Sequence, residues 1–496
     1  MRLNRSLCRA ALVLPVLLLS ACTVVGPDYR VPDEALIQQE SAHADFASAD
    51  APPYTRDDLP RDWWRLYRDA QLDGLIEAAL KANTDLRIAS ANLARSRAIL
   101  DEARSMTDPI FDVSAAPTYG RSATASGTRR QADHWFYDVG GGMSYQFDLF
   151  GKIARAIEAA AADVEATRSV YDMVRITVIA DTTRAYLDIC SSNHRIAVAE
   201  HSLALQQTFV NSTVRLARGG RATTLDVSRS RAQLEQLRAA VPPLQAQHRT
   251  ALFQLAVLTG SAPNTLTGRV GQCRAAPRLT SPIPVGNGAD MLRRRPDIRQ
   301  AERELAAATA RIGVATADLY PSIRIGLSTG ITGVFSDFSF ANAFRWSVGP
   351  LISWTIPATG PARSRVAQAE AVTQAALAYF DGVVLNALKE VESALTLYAR
   401  ELDRNAALRE SRNQGKLAAR QAHRLYDYGR TDFLTTLDAD RTLASLESAL
   451  AESDAQLVRN RVNLFLALGG GWNPEASRDE NFPGQGKPEQ GDTPPS

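Results

Sequence analysis

Arg215-Leu216-Ala217-Arg218-Gly219-Gly220-Arg221-Ala222-Thr223-Thr224-Leu225 and, 209 residues later, Arg424-Leu425-Tyr426-Asp427-Tyr428-Gly429-Arg430-Thr431-Asp432-Phe433-Leu434 share one pattern. An Arg-Leu pair leads to a Gly-Arg step and then to a leucine. Glycine at such a step permits the positive φ that a chain reversal uses. Gly260 and Gly469 keep the same offset. Asp85-Leu86-Arg87 recurs as Asp297-Ile298-Arg299, and each is followed 24 residues later by a proline, Pro109 and Pro321. The chain is therefore written twice. Each half reads as helix, two strands, long helix, turn and returning helix.

Ahead of the first turn, Lys152 to Arg218 contains no glycine and no proline and is rich in good helix formers. Ahead of the second, Ala362 to Tyr428 has the same 67-residue length with only Gly382 and Gly415 inside. At 1.5 Å per residue each helix spans roughly 100 Å. No ordinary globular core needs such an element. After the turns, Leu443, Leu450, Leu457 and Leu464 repeat every seven residues, as do Leu237, Leu244, Ala251 and Leu258. That spacing predicts supercoiled packing. Pro242-Pro243 must kink or break the first returning helix. Each returning segment is too short to retrace a long helix. The helices expected near Leu72–Asp108 and Ala289–Tyr320 supply the missing length if stacked end to end on it.

The strand-like segments alternate. In His134–Gly151, Trp135, Tyr137, Val139, Met143, Tyr145, Phe147 and Leu149 fall on one face, and Asp138, Gly140, Gly142, Ser144, Gln146 and Asp148 on the other. Phe344–Ile356 sets Phe344, Trp346, Val348, Ile352, Trp354 and Ile356 against Arg345, Ser347, Gly349, Ser353 and Thr355. Ile323, Ile325 and Leu327 alternate with Arg324, Gly326 and Ser328, and Ile110–Thr118 is a weaker fourth segment. A soluble sandwich also uses period two. Aromatic residues beside a Gly/Ser face are the pattern of an outer-membrane strand, with lipid outside and a wet lumen inside. Bacterial single-chain barrels begin at eight strands. Four strands predict a barrel shared between copies.

The chain begins with a basic segment (Arg2, Arg5, Arg9) and an apolar run from Ala10 to Leu19, the form of a secretory signal. Leu19-Ser20-Ala21-Cys22 is a lipobox, which predicts lipidation at Cys22. The 56 basic and 54 acidic residues give +2. Removing the three signal arginines leaves 2 − 3 = −1, which offers no basic footprint for nucleic acid. No later apolar run of about twenty residues predicts a transmembrane helix. With Cys8 in the signal and Cys22 used for lipid, Cys190 and Cys273 remain, too few for a disulfide framework. Cys190 is expected to be a buried thiol, with a Cys190–Cys273 bond left open.

Catalytic and metal signals do not assemble, and no catalytic residue, metal site or cofactor is expected. Gly326-Leu327-Ser328-Thr329-Gly330 matches a nucleophile-elbow pattern, but strand-like sequence follows it instead of a helix. The six histidines are scattered, without a zinc motif.

Several motifs together carry a family likeness: Cys22-Thr23-Val24-Val25-Gly26-Pro27-Asp28-Tyr29, Trp63-Trp64, Arg294-Arg295-Pro296-Asp297-Ile298 with Ala301-Glu302, Tyr320-Pro321-Ser322, the stretch from Tyr428-Gly429 to Leu437-Asp438-Ala439, and Leu468-Gly469-Gly470-Gly471-Trp472. With them the chain resembles the TolC-like outer-membrane efflux factors, in the lipoprotein (OprM/NodT-type) branch. The resemblance implies an α+β membrane protein: a homotrimer whose chains share a twelve-stranded barrel above a periplasmic tunnel of coiled-coil helices. It implies a passive exit duct for small toxic compounds. The partners would be a periplasmic adaptor protein and an inner-membrane pump of the RND type. It also implies a periplasmic gate at Leu434, Asp438 and Arg441, which share one helix face at i, i+4 and i+7. Read from spacing alone, Asp438 and Arg441 fit an ordinary solvated i, i+3 pair better than a gate; the resemblance reverses that preference. A hairpin latch is implied at Asp226, Tyr426 and Arg430. The first repeat has Arg229 where the second has Asp438.

The organisation expected is a signal peptide at 1–21, a lipid-anchored segment at 22–70, repeats at 71–275 and 276–472, and a disordered tail at 473–496. Alternative readings are a duct of type I protein secretion, a lipid-anchored coiled-coil scaffold without a pore, and a surface esterase using Ser328.

Overall fold

A computed structural model describes residues 24–49, 53–121, 133–263, 270, 273–277, 279, 282–337, 339–354, 356 and 360–470. Cys22, the signal segment, Thr355, Gly471-Trp472 and the tail fall outside the described residues.

The duplication is visible element by element. In the first half, helices α1 (Ala70–Ala82) and α2 (Thr84–Ser105) lead into strands β1 (Ile110–Ala115), β2 (Thr118–Gly120) and β3 (His134–Phe147). The long helix α3 (Lys152–Arg218) follows, and then the returning helices α4 (Thr224–Ala239) and α5 (Val241–Leu258). In the second half α6 (Gly288–Arg294) and α7 (Pro296–Ala317) lead into β4 (Ser322–Val334) and β5 (Phe344–Ser353). The long helix α8 (Pro361–Asp427) and the returning helix α9 (Phe433–Ala467) close the repeat. Both long helices have 67 residues, as expected from composition. The first returning helix breaks at Ala240, and the two prolines stand at the start of α5, where their missing N–H groups cost nothing. Its counterpart, without prolines, runs unbroken for 35 residues.

End-to-end stacking is made by equivalent hydrogen bonds. Asn83, between α1 and α2, caps α2 through Asp85 N (2.9 Å) and donates its Nδ2 to the last carbonyl of α5, Leu258 (3.2 Å). Arg295, between α6 and α7, donates to the last carbonyl of α9, Ala467 (2.9 Å). The buried Arg295 guanidinium is further held by Asp297 and Glu390. The Arg-Pro-Asp run of the sequence is thus a clamp on a helix end.

The structure divides into two compact units, each drawn from both halves of the chain. One comprises the described parts of Met1–Ala35, Ala91–Arg168 and Gln300–Asp381; the other comprises those of Leu36–Ser90, Ser169–Arg299 and Gly382–Ser496. The first unit holds the sheet, in the order β1-β3-β4-β5 with β2 also on β3, every pairing antiparallel. Register aligns Met143, Leu327 and Val348 across three strands, and Phe147, Ile323 and Ile352 likewise. This face is apolar and largely solvent-exposed, with Trp346 at 67% and Val113 at 88%. The opposite face aligns Gly142, Ser328 and Ser347. On it Ser328 and Ser347 share a hydrogen bond (2.9 Å), Arg345 pairs with Asp138, and Arg324 donates to Gln146 (3.2 Å). Ser328 therefore lies inside a straight strand against another serine, without the turn a nucleophile elbow needs. The outer edges, β1 and β5, carry no further strand among the described residues.

The second unit corrects one expectation. Cys190 and Cys273 are joined by a disulfide, with Cα atoms 4.9 Å apart. Cys190 is fully buried, as an apolar helical neighbourhood suggested, but the segment between the repeats returns to it, and Asn193 holds the Cys273 carbonyl (2.8 Å). Chain proximity across 83 residues has no local sequence signal. Elsewhere in this unit Trp63 is buried and stacks on Phe465 at 4.7 Å. Along α9 the heptad leucines Leu450, Leu457 and Leu464 are buried. A second difference concerns α8. By length and composition alone it passes as a membrane span, and little of its apolar stretch is buried within the chain.

Candidate functional site at the hairpin tips

Both tips close by the same hydrogen bonds. The Arg221 amide donates to Leu216 O (2.8 Å) around Gly220, whose φ is +72°. The Arg430 amide donates to Leu425 O (2.8 Å) around Gly429, whose φ is +68°. An L side chain is disfavoured at that φ, which is why glycine stands at both places.

The helices that leave the tips are capped with exchanged residues. Thr223 caps α4 and forms a capping box with Asp226: Thr223 N and Oγ1 donate to Asp226 Oδ2 (2.9 and 2.7 Å). Asp226 N in turn donates to Thr223 Oγ1 (3.2 Å). In the second hairpin Asp432 is the cap and accepts from Thr435 N (2.7 Å). Bonds from Thr435 hold the Asp432 carboxyl below its ordinary range.

The expected gate residues lie on one face of α9. Leu434, Asp438 and Arg441 are all exposed, Leu434 at 48%, while Phe433, Thr436 and Leu437 on the other face are buried. Phe433 stacks on Phe209 of α3 (5.4 Å), and Leu437 and Tyr426 complete that apolar cluster. Packing thus fixes which side of α9 is free. Asp438 and Arg441 form no ion pair with each other among the described residues.

Of the residues expected to form a latch, Tyr426 and Asp226 interact electrostatically within the chain. Burial, and then the nearby Asp226 carboxylate, raise the Tyr426 hydroxyl above its ordinary pKa against the opposing Arg221. Arg430 is exposed, and among the described residues it bonds at the tip through its backbone alone. Asp226 has a capping duty that its spacing from Thr223 signals, a polar cap followed three residues later by an acceptor.

A cross-helix pair escaped the sequence reading. His423 Nε2 lies 2.9 and 3.0 Å from the two Asp440 oxygens, linking α8 to α9 within the second hairpin. The Phe209 ring meets the imidazole edge-on at 5.8 Å. The hydrogen bond to Asp440 raises the His423 pKa; burial opposes it, and the charges of Asp440 and Asp427 add to it. A cavity of about 950 Å3 adjoins this pair, lined in part by Phe209, Leu216, Leu443 and Tyr428. Seventeen positions separate the two residues, and no helical periodicity on either helix connects them.

An amphipathic antiparallel sheet, apolar on its exposed face and joined to two long helical hairpins with equivalent tips, is the plan of an outer-membrane channel protein. The chain belongs to the family described as Outer membrane efflux protein, which it matches over residues 75–261 and again over 288–470, once per repeat. It is 30% identical over 468 residues to the outer membrane protein OprJ of Pseudomonas aeruginosa, covering 93% of this chain and 95% of that one. It is 28% identical over 467 residues to nodulation protein T of Rhizobium leguminosarum bv. trifolii, covering 93% and 97%. Its fold is similar to the solved outer-membrane channel OprN, with a TM-score of 0.84, 36% identity and coverage of 91% of this chain and 100% of that one. The protein is an outer-membrane efflux channel component of the TolC-like, α+β kind, from a family of transport ducts rather than enzymes.

Proposed function

We propose that three copies of this chain form one duct: β1 and β2 lie in succession along β3 and fill one strand position, so 3 × 4 = 12 strands close a barrel in the outer membrane. The observation that carries this reading is the sheet. Its apolar face is exposed, its opposite face is Gly/Ser-rich, and neither edge strand has a further partner among the described residues. Unpaired edges facing lipid are not tolerated, and four strands are too few to close. The exposed Val372, Tyr379, Leu385 and Leu397 of α8 support burial of that helix against other copies, which accounts for its apolar window without a membrane span.

The lipid anchor on Cys22 would enter where the sheet ends. Three residues on, Val25 N donates to Phe150 O (3.2 Å), and Arg155 holds the Val25 carbonyl (3.2 Å) and Asp28 (2.7 Å). The free face of α9 supports a gate in which Leu434, Asp438 and Arg441 line the threefold axis, with Asp226, Tyr426 and Arg430 latching neighbouring hairpins. The open tips would face a periplasmic adaptor and an inner-membrane pump of the RND type, which drives small toxic compounds, antibiotics included, through a passive duct.

The test is conductance in planar bilayers with the full-length, lipidated protein. Trimers on native gels, and a several-fold conductance increase in Asp438→Ala/Arg441→Ala, are expected. A monomeric protein, or a double variant conducting like the parent, would sink the reading.

A further inference from the structure

Arg229 and Asp438 are equivalent residues of opposite charge. Each stands six positions past its helix cap, Thr223 or Asp432, so the two lie at one depth from their tips. Both side chains are exposed. Each shares an exposed face with a leucine one turn nearer the tip, Leu225 at 54% and Leu434 at 48%. Both hairpin ends belong to one compact unit, yet Arg229 and Asp438 form no ion pair with each other within it.

Symmetry supplies what the single chain lacks. Any closed ring of three chains, each carrying two equivalent hairpins, presents first and second hairpins alternately around its axis. Every second hairpin then has one neighbour from its own chain and one from the next. The own-chain seam is already occupied by the Phe209, Phe433, Leu437 and Tyr426 cluster. The residues equivalent to these by the 209 offset are Ala418, Thr224, Ser228 and Ala217, all small. The seam between copies therefore lacks an aromatic core at this depth and leaves room for a polar contact.

We propose that Arg229 of one copy is the counter-charge of Asp438 in the neighbouring copy, so that the tips are held closed by three salt bridges made across chains. This inference rests on the trimeric gate proposed above and adds the residue that completes it. Three carboxylates gathered around one axis repel each other. Three guanidinium groups at the same depth, one per seam, neutralise them and make closing depend on assembly. The pairs are exposed, so each is weak alone. Acting together, three of them shift the closed-to-open ratio by about tenfold.

A charge exchange in the full-length trimer tests this. Arg229→Asp and Asp438→Arg should each raise open probability about tenfold, and the double exchange should return it to within about twofold of the parent. Independently, Arg229→Cys/Asp438→Cys should give a covalently linked trimer on a non-reducing gel, with conductance lowered until reductant is added. Lack of restoration in the double exchange, or a cysteine pair that runs as monomer, overturns the proposal. The gate reading fails separately: if Asp438→Ala alters conductance while Arg229→Asp does not, the carboxylate gate stands and its cross-chain partner falls. If neither alters it, both fall.

Discussion

Thr223 and Asp432 occupy the same N-cap position of the two hairpins, 209 residues apart, and each uses its side chain to hold the amide three residues on. The residue types at cap and cap-plus-three are exchanged between repeats, Thr with Asp226 in one and Asp with Thr435 in the other. A hydroxyl and a carboxylate serve equally as the cap acceptor, so duplication has kept the geometry while the residues diverged.

These caps separate folding from the proposed latching at Asp226. Thr223→Ala should destabilise the first hairpin by about 1 kcal/mol without changing conductance. Asp226→Ala should do both, because it removes the capping box and the carboxylate beside Tyr426. Hydrogen exchange of the α4 amides reports the cap and bilayer recording reports the latch. If the two variants match in conductance, Asp226 is a cap only.

The His423–Asp440 link makes the second hairpin pH-sensitive. Asp440 raises the folded-state pKa of His423 above its ordinary value of about 6.5. The stabilisation is then fully present below about pH 6.5 and is lost as pH rises through the raised folded value. Thermal unfolding of the parent should fall across that window relative to His423→Gln, which should be flat there. Parallel pH curves for the two proteins would exclude the link.

The Cys190–Cys273 bond closes a loop across 83 residues, so breaking it should cost about 2–4 kcal/mol. Cys273→Ser should unfold at lower denaturant concentration. Alkylation of the unfolded, unreduced parent should leave both cysteines unlabelled, and labelling of both would show that the bond is absent.

Gly330 packs face to face with Gly140 across β4 and β3. A Cβ on Gly330 would meet Val139 O at 2.5 Å and Gly140 Cα at 2.8 Å, both backbone atoms that cannot move aside cheaply. Gly330→Ala should lower the yield of membrane-inserted protein sharply. Gly349→Ala, with nothing within 4 Å of its Cβ, should not. Equal yields would show that the two strands tolerate separation.

Much of the fold was legible because its signals are periodic and local. The ends of α3 follow from the glycine-free run between Gly151 and Gly219, and the face of β5 follows from the alternation of Trp346 with Ser347. The exposed face of α9 could be suspected from the spacing of Leu434, Asp438 and Arg441. Only the burial of Phe433 and Leu437 against Phe209 shows that this face is the free one. Asp226 was read as a tip residue alone, although its three-residue spacing from Thr223 also signals the capping box it forms. His423 looked like one of six scattered histidines, since nothing near it in the chain points to Asp440.

The sequence by itself determined the duplication, the strand and helix periods, the position of both turns and the family, because each depends on residues within a few positions or at one fixed offset. Tertiary structure decided the rest. It joined Cys190 to Cys273, set Arg295 on the last carbonyl of α9, brought His423 to Asp440, and left Arg229 and Asp438 exposed at one depth without pairing them to each other. Those relations depend on which helix faces meet when long helices fold back. Side chains distant in the chain register their meeting only in the burial and hydrogen bonds that result.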